Sequence, residues 1–262
     1  MKRTLLLLLL NNSYSLFAQE RFQLAPPLLK YNSVFFADKI TVEIKFAQSE
    51  TRVHYTLNNN EPAEQDPVYT EPIRITKNLT TLKAKAFGNN FLPSATVAAT
   101  FIKEGKRVRS VQYTLPDTKY PGSGSNTLID NKGGMLPISS TTWMGYKCDT
   151  VSITMDMGKP QSVKEVLLNF LQSESSWVFL PEQIIVYWFN DKTSSFQTFG
   201  KELISSDKET AGTHCNYRMI AAKNKIKTNK IFINIVVQKT IPSWHAAKGE
   251  HAWMFIDEIK VY

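Results

Sequence analysis

The sequence lacks the short motifs that mark common catalytic sites. It contains no G-x-S-x-G nucleophile turn, no phosphate-binding P-loop, no H-E-x-x-H zinc motif and no C-x-x-C pair. His214 and Cys215 are neighbours, but no third member of a catalytic triad accompanies them. His245 and His251 have no obvious third metal ligand. We therefore expect a protein that is not an enzyme.

Cysteine is also scarce, since Cys148 and Cys215 are the two cysteines in 262 residues. Two thiols do not make a disulfide framework, and sequence alone does not show that they meet. Whether they pair is left open, although an exported protein would permit a disulfide.

Long hydrophobic runs are missing as well. The start, MKRTLLLLLL, has a basic end and a leucine run that Asn11 and Asn12 interrupt. A membrane-spanning helix needs about 20 apolar residues. The pattern instead predicts a signal peptide over residues 1–18, ending at Ala18. No cysteine lies near this cut to carry a lipid anchor. We expect a secreted, periplasmic or cell-surface protein without a membrane span.

Acidic residues do not balance the basic ones. The formal charge of +8 falls to +6 when Lys2 and Arg3 leave with the signal peptide (8 − 2). The basic residues concentrate in segments 103–109 and 223–230. An anionic partner is one interpretation of these segments. Because no nucleic-acid motif accompanies them, we favour a solvated linker and a solvated turn, and no nucleic-acid partner.

Alternation of apolar and polar residues is abundant over residues 40–101. ITVEIKF, RVHYTL, TLKAKAF and SATVAATF alternate with period two and are separated by turn-rich stretches. Such alternation predicts strands with one buried face. In RVHYTL it places Val53, Tyr55 and Leu57 on the buried face and His54 on the surface. Several short strands of this kind predict a small β-sandwich.

The pattern restarts after a charged segment, KEGKRVRSV, which we interpret as a linker over residues 103–111. In VSITMDMG, the alternation buries Val151, Ile153 and Met155. SVKEVLLNFL, EQIIVYWF, NKIFINIVV and MFIDEIKVY are further strand candidates. The longer loops between them hold most of the tryptophan. This half predicts a second, larger all-β domain over residues 112–262, a jelly-roll sandwich.

The first half also resembles a known module. VHYTLNNNEPAEQDPVYTEPIRITKNLTTLKAKAF is similar to the chitobiase C-terminal, or fibronectin-III-associated, repeat, which is a small fibronectin- or immunoglobulin-like sandwich. The resemblance covers residues 34–102, although the turn NNNEP replaces the usual Asp-Gly form. It implies a spacer or accessory role.

The second half resembles a discoidin domain, also called coagulation factor 5/8 type C, of the kind found among family 32 carbohydrate-binding modules. The marks, in the family's order, are LID, W-x-G-Y, DMGKPQSVKEV, SSWVFLPE and PSWH…AWMFIDEI. More narrowly, the two halves together are similar to the C-terminal accessory region of bacterial β-N-acetylhexosaminidases.

Those enzymes carry a (β/α)₈ barrel in front of these modules, and such a barrel needs about 250 residues. Only the stretch from Glu20 to about Val34 lies between the predicted signal peptide and the first sandwich. Asp257 and Glu258 are neighbours on a predicted strand, so their side chains point to opposite faces. They cannot form the facing carboxylate pair of a glycosidase. We therefore expect that the catalytic domain is absent.

The discoidin resemblance implies a glycan site in loops at one end of the sandwich. Sugars stack their C–H faces on indole rings, and polar side chains bond to their hydroxyls. Trp177 and Trp244 lie in such loops, and the alternative to sugar binding is that they pack against the end of the sandwich. Trp143 and Trp253 lie beside strands, and we expect them to face the core. The candidate carbohydrate-binding residues are Trp177, Trp244, His245, Lys248 and Glu250.

The resemblance also implies a structural Ca²⁺ ion, held by an aspartate near a glycine-containing turn and a glutamate on the last strand. The matching positions are Asp130, Gly133 as a backbone ligand, and Glu258. Calcium takes six to eight oxygen ligands, which suits a turn rich in carbonyls. This chain has DNKGG where the family often has Asp-Gly, so a role of Asp130 in capping the turn is the alternative.

Together these features predict a secreted, non-catalytic carbohydrate-binding protein, with the second sandwich as the binding domain and the first as a spacer. The resemblance implies a glycan or polysaccharide ligand that contains N-acetylhexosamine or galactose. The alternatives are a structural or protein-interaction module, and a truncated accessory part of a β-N-acetylhexosaminidase.

Overall fold

The chain is nearly all β-structure. The computed structural model describes residues 21–133, 136 and 141–262, so the predicted signal peptide lies outside the described residues. The chain divides between Ile102 and Lys103 into two compact units. We call residues 21–102 unit 1 and residues 103–262 unit 2. The predicted all-β fold is confirmed. In the described part, no helix is long and apolar enough to cross a membrane.

Unit 1 is built from two antiparallel sheets. One has the strand order β1-β3-β5 and the other the order β2-β7-β6-β4. Apolar side chains from both sheets, including Val42, Leu82 and Phe101, form one core. The described strands are β1 (Leu28–Lys30), β2 (Phe35–Phe36), β3 (Ile40–Lys45), β4 (Arg52–Thr56), β5 (Ile73–Ile75), β6 (Leu79–Phe87) and β7 (Val97–Lys103).

Two expectations for strand β4 are wrong. His54 is buried rather than exposed, with its Nδ1 2.8 Å from the carbonyl oxygen of Asp66 and its ring edge-on to Phe87. The cause is the segment that follows β4, because it folds back and bridges Val68 to His54. Both faces of β4 are therefore covered. Leu57 lies just beyond the end of β4 and is exposed.

Unit 2 forms a larger antiparallel sheet system around a second core. The strand order is β12-β11-β13-β10-β14-β9, and β8 also pairs with β10. Val151, Ile153 and Met155 are buried, as the alternation of their segment predicts. The described strands are β8 (Ser110–Tyr113), β9 (Met144–Tyr146), β10 (Thr150–Gln172), β11 (Gln183–Asn190), β12 (Ser195–Leu203), β13 (His214–Val236) and β14 (Met254–Val261).

Strands β10 and β13 each bend and contribute to two layers. Each has 23 residues, which would extend about 75 Å if straight. Their pairing register shifts between Asp156 and Gln161, where Gly158 adopts a positive φ of 75°. Side chains from both halves of β10 belong to the same core. The bend therefore folds the paired strands over one core as a sandwich.

Four connections of unit 2 gather at the end opposite this bend. The register pairs Thr150 with Val236 and Gln172 with His214, so both ends of β10 and β13 lie there. Four other strands, β9, β11, β12 and β14, each have one end that pairs close to these residues, directly or through a neighbouring strand. Those four strand ends therefore lie at the same end of the sandwich. We call this the loop end. Its connections are residues 147–149, 173–182, 204–213 and 237–253.

The segment that we interpreted as a linker contacts unit 2. The Lys106 amide donates a hydrogen bond of 2.7 Å to the Val261 carbonyl. The Arg109 amide donates one of the same length to the Asp156 carbonyl. Strand β8 begins at Ser110, inside the predicted linker. The backbone of this segment thus satisfies its hydrogen bonds within unit 2.

Candidate functional site

Trp177 occupies an unusual position at the loop end. A 3-10 turn over Glu174–Ser176 ends at Trp177, whose φ of 65° and ψ of 21° are left-handed. Its amide donates to the Glu174 carbonyl at 2.8 Å, and its carbonyl accepts from the Trp253 amide at 2.8 Å. A bulky residue rarely adopts this conformation, which carries backbone strain. The strained turn presents an indole that is 38% exposed.

A buried glutamate holds this turn in place. Glu174 is 3% exposed and accepts from the Gln172 side-chain amide at 2.8 Å through Oε1. Its Oε2 accepts from the backbone amide of Thr210 at 2.6 Å. A buried carboxylate needs such partners. Because these donors come from β10 and the 204–213 connection, Glu174 joins two segments of the loop end beneath Trp177.

Trp253 lies in a second aromatic group at this end. Its half-buried ring packs against the buried cluster that contains Trp143 and Phe255, as expected, and Tyr120 meets it edge-on at a centroid distance of 5.2 Å. Lys147 places its ammonium 5.7 Å from the Trp253 centroid, a distance suited to a cation–π contact. Trp143 is fully buried, as expected.

Sequence reasoning missed Tyr120 and Lys147. They lie more than a hundred residues before Trp253, and only the pairing of β9 with β14 brings them close to it. No local motif marks that pairing.

Trp244 is fixed rather than free. Its indole N–H donates a 2.8 Å hydrogen bond to the Ser206 carbonyl. Its half-buried ring packs against a small core that contains Phe179 and Ile241. The centroid distance to Phe179 is 6.0 Å. This arrangement leaves part of the ring accessible but uses its only polar donor inside the protein.

The other three candidates surround Trp244 on one compact turn. The His245 ring lies 5.6 Å from the Trp244 ring, and its Nδ1 accepts the Ala247 amide at 3.0 Å. In the neutral imidazole this places the proton on Nε2, which is then a donor. Lys248 and Glu250 are exposed. Their backbone amides close successive turns, from Lys248 to His245 and from Glu250 to Ala247.

The structure therefore brings four of the five carbohydrate candidates together in the 237–253 connection. The fifth, Trp177, belongs to the neighbouring 173–182 connection. Phe179 links the two connections by contact. It follows Trp177 by two residues, and its ring contacts both Trp244 and His245. The loop end therefore carries an exposed indole on one connection and imidazole, ammonium and carboxylate groups on another.

The three predicted metal ligands lie near one another, because the turn that contains Asp130 and Gly133 packs against β14. Asp130 accepts from Ser123 Oγ and from the Lys132 amide, each at 3.0 Å. Burial, and to a smaller extent the charge of Asp130, raises the pKa of Glu258, whose carboxylate lies 2.9 Å from the Lys260 ammonium. A Cβ built on Gly133 would meet the Asp257 carboxylate, on the neighbouring residue of β14. Within the described residues, no cluster of three acidic, histidine or cysteine side chains is arranged to hold a metal.

In the described part of the turn, Asp130, Gly133 and Glu258 are not arranged to hold a calcium ion. A bound calcium needs six to eight oxygen atoms directed at one point, but the Glu258 oxygens are engaged by an ammonium and by the Asn131 amide. Asp130 is engaged within its own turn. The observed contacts favour the alternative in which Asp130 caps the turn.

Both cysteines are free thiols in this structure. Burial raises the pKa of Cys215 to about 11 and also raises the pKa of Cys148. Raised thiol pKa values oppose the formation of a reactive thiolate. Neither cysteine therefore has the environment of a nucleophile.

Comparison with known proteins gives a family for part of unit 1. Residues 42–101 match the family model described as Fn3 associated. This segment is therefore similar to that family, in agreement with the resemblance noted for the first half. No curated protein is similar enough in sequence to match the chain.

Some solved structures are similar to part of the chain. A chitosan-binding module of a Paenibacillus sp. IK-5 chitosanase/glucanase is 14% identical, with 60% of this chain and 96% of that chain covered and a TM-score of 0.39. The family 32 carbohydrate-binding module of Streptococcus pneumoniae EndoD is 15% identical, with coverages of 61% and 96% and a TM-score of 0.41. At these values neither similarity transfers a ligand to this chain.

Proposed function

We propose that this chain is a non-catalytic carbohydrate-binding protein whose glycan site is the loop end of unit 2. Trp177 is the observation that carries the proposal. A folded chain seldom holds a large aromatic residue in a left-handed conformation with its ring in solvent. Such strain persists where the surrounding structure fixes it and is concentrated at ligand sites.

The chemistry of the neighbouring groups suits a sugar. The exposed indole of Trp177 offers a flat apolar surface for the C–H face of a pyranose ring. His245, Lys248 and Glu250 supply donors and an acceptor for hydroxyl or N-acetyl groups. The site is open and solvated, so we expect dissociation constants between about 1 mM and 1 μM for single sugars.

Unit 1 has a different role in this proposal. Its matched family supports a spacer that displays unit 2. The export that residues 1–18 predict would place the protein among extracellular glycans.

A glycan-array screen of the chain without residues 1–18 tests the proposal. The array should include glycans that contain N-acetylglucosamine or galactose. We expect a specific signal that Trp177→Ala removes while the variant keeps the circular dichroism spectrum of the parent protein. Phe196→Ala is the matched control, because Phe196 is 43% exposed on β12 and lies outside the connections of the loop end.

Two results would count against the proposal. An undiminished signal from a folded Trp177→Ala variant would remove Trp177 from the site. A blank array from folded protein would favour the protein-interaction alternative.

A further inference from the structure

We propose that the ammonium group of Lys260 takes the place that the discoidin resemblance assigns to calcium, so that unit 2 holds its turn at Asp130–Asn131 with an internal cation and requires no metal. This inference does not depend on the glycan site. It concerns three residues, Asn131, Glu258 and Lys260, which we call the ammonium site.

The ion pair at the centre of this site is buried. Lys260 Nζ lies 2.9 Å from Glu258 Oε2, and the side chains are 6% and 1% exposed. Glu258 and Lys260 are both on β14 and separated by one residue, so their side chains lie on the same side of the strand. Burial of a carboxylate next to the turn requires a positive charge, and Lys260 supplies it.

Asn131 closes the site from the opposite side. Its backbone amide donates to both carboxylate oxygens of Glu258, at 3.2 and 3.0 Å. Its side-chain Oδ1 accepts a hydrogen bond from Lys260 Nζ at 2.6 Å. Asn131 has a φ of 58°, a left-handed conformation that asparagine tolerates better than most residues. The three residues thus form a closed set of charge-assisted hydrogen bonds around the ammonium.

This arrangement performs the task of a structural cation. A bound calcium would join the Glu258 carboxylate of the last strand to oxygen atoms of the turn. Here Lys260 joins the same carboxylate to the side-chain oxygen of Asn131 in that turn. The link between turn and strand is therefore present without a divalent ion.

The charge on the groove side opposes calcium, whereas Asp130 adds negative charge on the turn side. A groove of about 290 Å³ beside the site is lined by Lys106, Arg107 and Lys260, with Glu104 as its only carboxylate among the described lining residues. A divalent cation entering this groove would meet three positive side chains. Like charges at such short range are unfavourable, most of all where water is excluded.

Thermal unfolding followed by tryptophan fluorescence tests the inference. All five tryptophans lie in unit 2, so their emission reports on the unit that contains the ammonium site. For the parent protein we expect the same midpoint in millimolar CaCl₂ and in chelator. If calcium did bind, a free calcium concentration one hundred times the dissociation constant would raise the unfolding midpoint by about 5–10 °C.

Lys260→Met distinguishes two cases. In the first, the Lys260 ammonium replaces a calcium ion; in the second, the site is unable to bind calcium at all. Methionine keeps most of the length of the side chain but leaves the Glu258 carboxylate without its cation. We expect the midpoint in chelator to fall by on the order of 10 °C, and CaCl₂ to restore about 5 °C or more of that loss. In the double variant Glu258→Gln/Lys260→Met, calcium should have no effect, because the anionic ligand is gone.

Three results would overturn the inference. One is a calcium-dependent rise in the parent protein that Glu258→Gln abolishes. Another is a folded Lys260→Met variant that calcium does not stabilise. If Lys260→Met does not fold even with calcium, Lys260→Arg provides the third test. Arginine keeps the positive charge, so a midpoint for Lys260→Arg that became calcium-dependent would contradict the proposed role of that charge.

Discussion

The two units of this chain place their large aromatic side chains differently. Unit 1 contains no tryptophan; Phe36 and Phe101 are buried in its core, whereas Phe22 and Tyr31 are exposed. Unit 2 contains all five tryptophans, and three of them lie in the connections of the loop end. A sandwich needs aromatic residues in its core but not in its loops. The difference supports the proposal that unit 1 is a spacer and that unit 2 carries the binding surface.

The tryptophans of unit 2 are themselves of two kinds. Trp143 is 1% exposed, whereas Trp177 is 38% exposed. If this distinction between packing and binding is correct, substitutions at the two positions should affect different properties. The predictions that follow test it in order of decreasing expected effect.

Trp143→Ala should have the largest effect on stability. The substitution leaves a cavity in the cluster formed with Leu171, Val178 and Phe255. We expect the free energy of unfolding of unit 2 to fall by about 3–5 kcal/mol, measured by urea titration with the fluorescence of the remaining tryptophans. Phe196→Ala, at a partly exposed position where the ring contacts Phe189 and Phe232, should lower it by only about 1 kcal/mol. Similar losses in the two variants would contradict the assignment of Trp143 to the core.

Thiol labelling should show a graded burial within unit 2. Burial raises the pKa of Cys215 to about 11 from an ordinary value of 9.0. Since a higher pKa leaves less thiolate at a given pH, its alkylation rate at pH 8 should be about 100-fold below that of an exposed cysteine. Cys148 should react faster than Cys215, and labelling of Cys148→Ala and Cys215→Ala assigns the two rates by mass spectrometry. Equal rates for the two thiols would be inconsistent with this structure.

Trp244→Phe should have the smallest effect. It removes the indole N–H that donates to Ser206 and keeps an aromatic ring against Phe179. We expect a loss of about 0.5–1.5 kcal/mol in the free energy of unfolding and little change in glycan affinity. A large loss of affinity with unchanged stability would move Trp244 into the binding surface.

Much of the fold could be predicted from the sequence, because the alternation of apolar and polar residues along a strand indicates which of its side chains are buried. In VSITMDMG the apolar residues face the core as expected. The pattern does not show that this segment and SVKEVLLNFL form one bent strand, β10. That continuity depends on Gly158 and on the pairing with β13, which is a contact between distant residues.

The candidate site was only partly accessible to sequence reasoning. A tryptophan in a loop is visible in the sequence, so Trp177 and Trp244 were found. The sequence did not show that the two tryptophans have different environments, because the Ser206 carbonyl that fixes Trp244 comes from another connection. His54 shows the same limitation in unit 1, since the strand pattern could not reveal that the following segment covers it.

In the proposed function, glycan binding belongs to the loop end of unit 2 and not to unit 1. Unit 1 offers the competing surface, a cleft of about 580 Å³ lined by polar residues and Phe87. Calorimetric titration of the full mature chain, with a glycan identified on the array, distinguishes the two. We predict that Trp177→Ala weakens binding about tenfold or more and that Phe87→Ala leaves it unchanged. The opposite outcome, with affinity lost in Phe87→Ala and kept in Trp177→Ala, would contradict the claim.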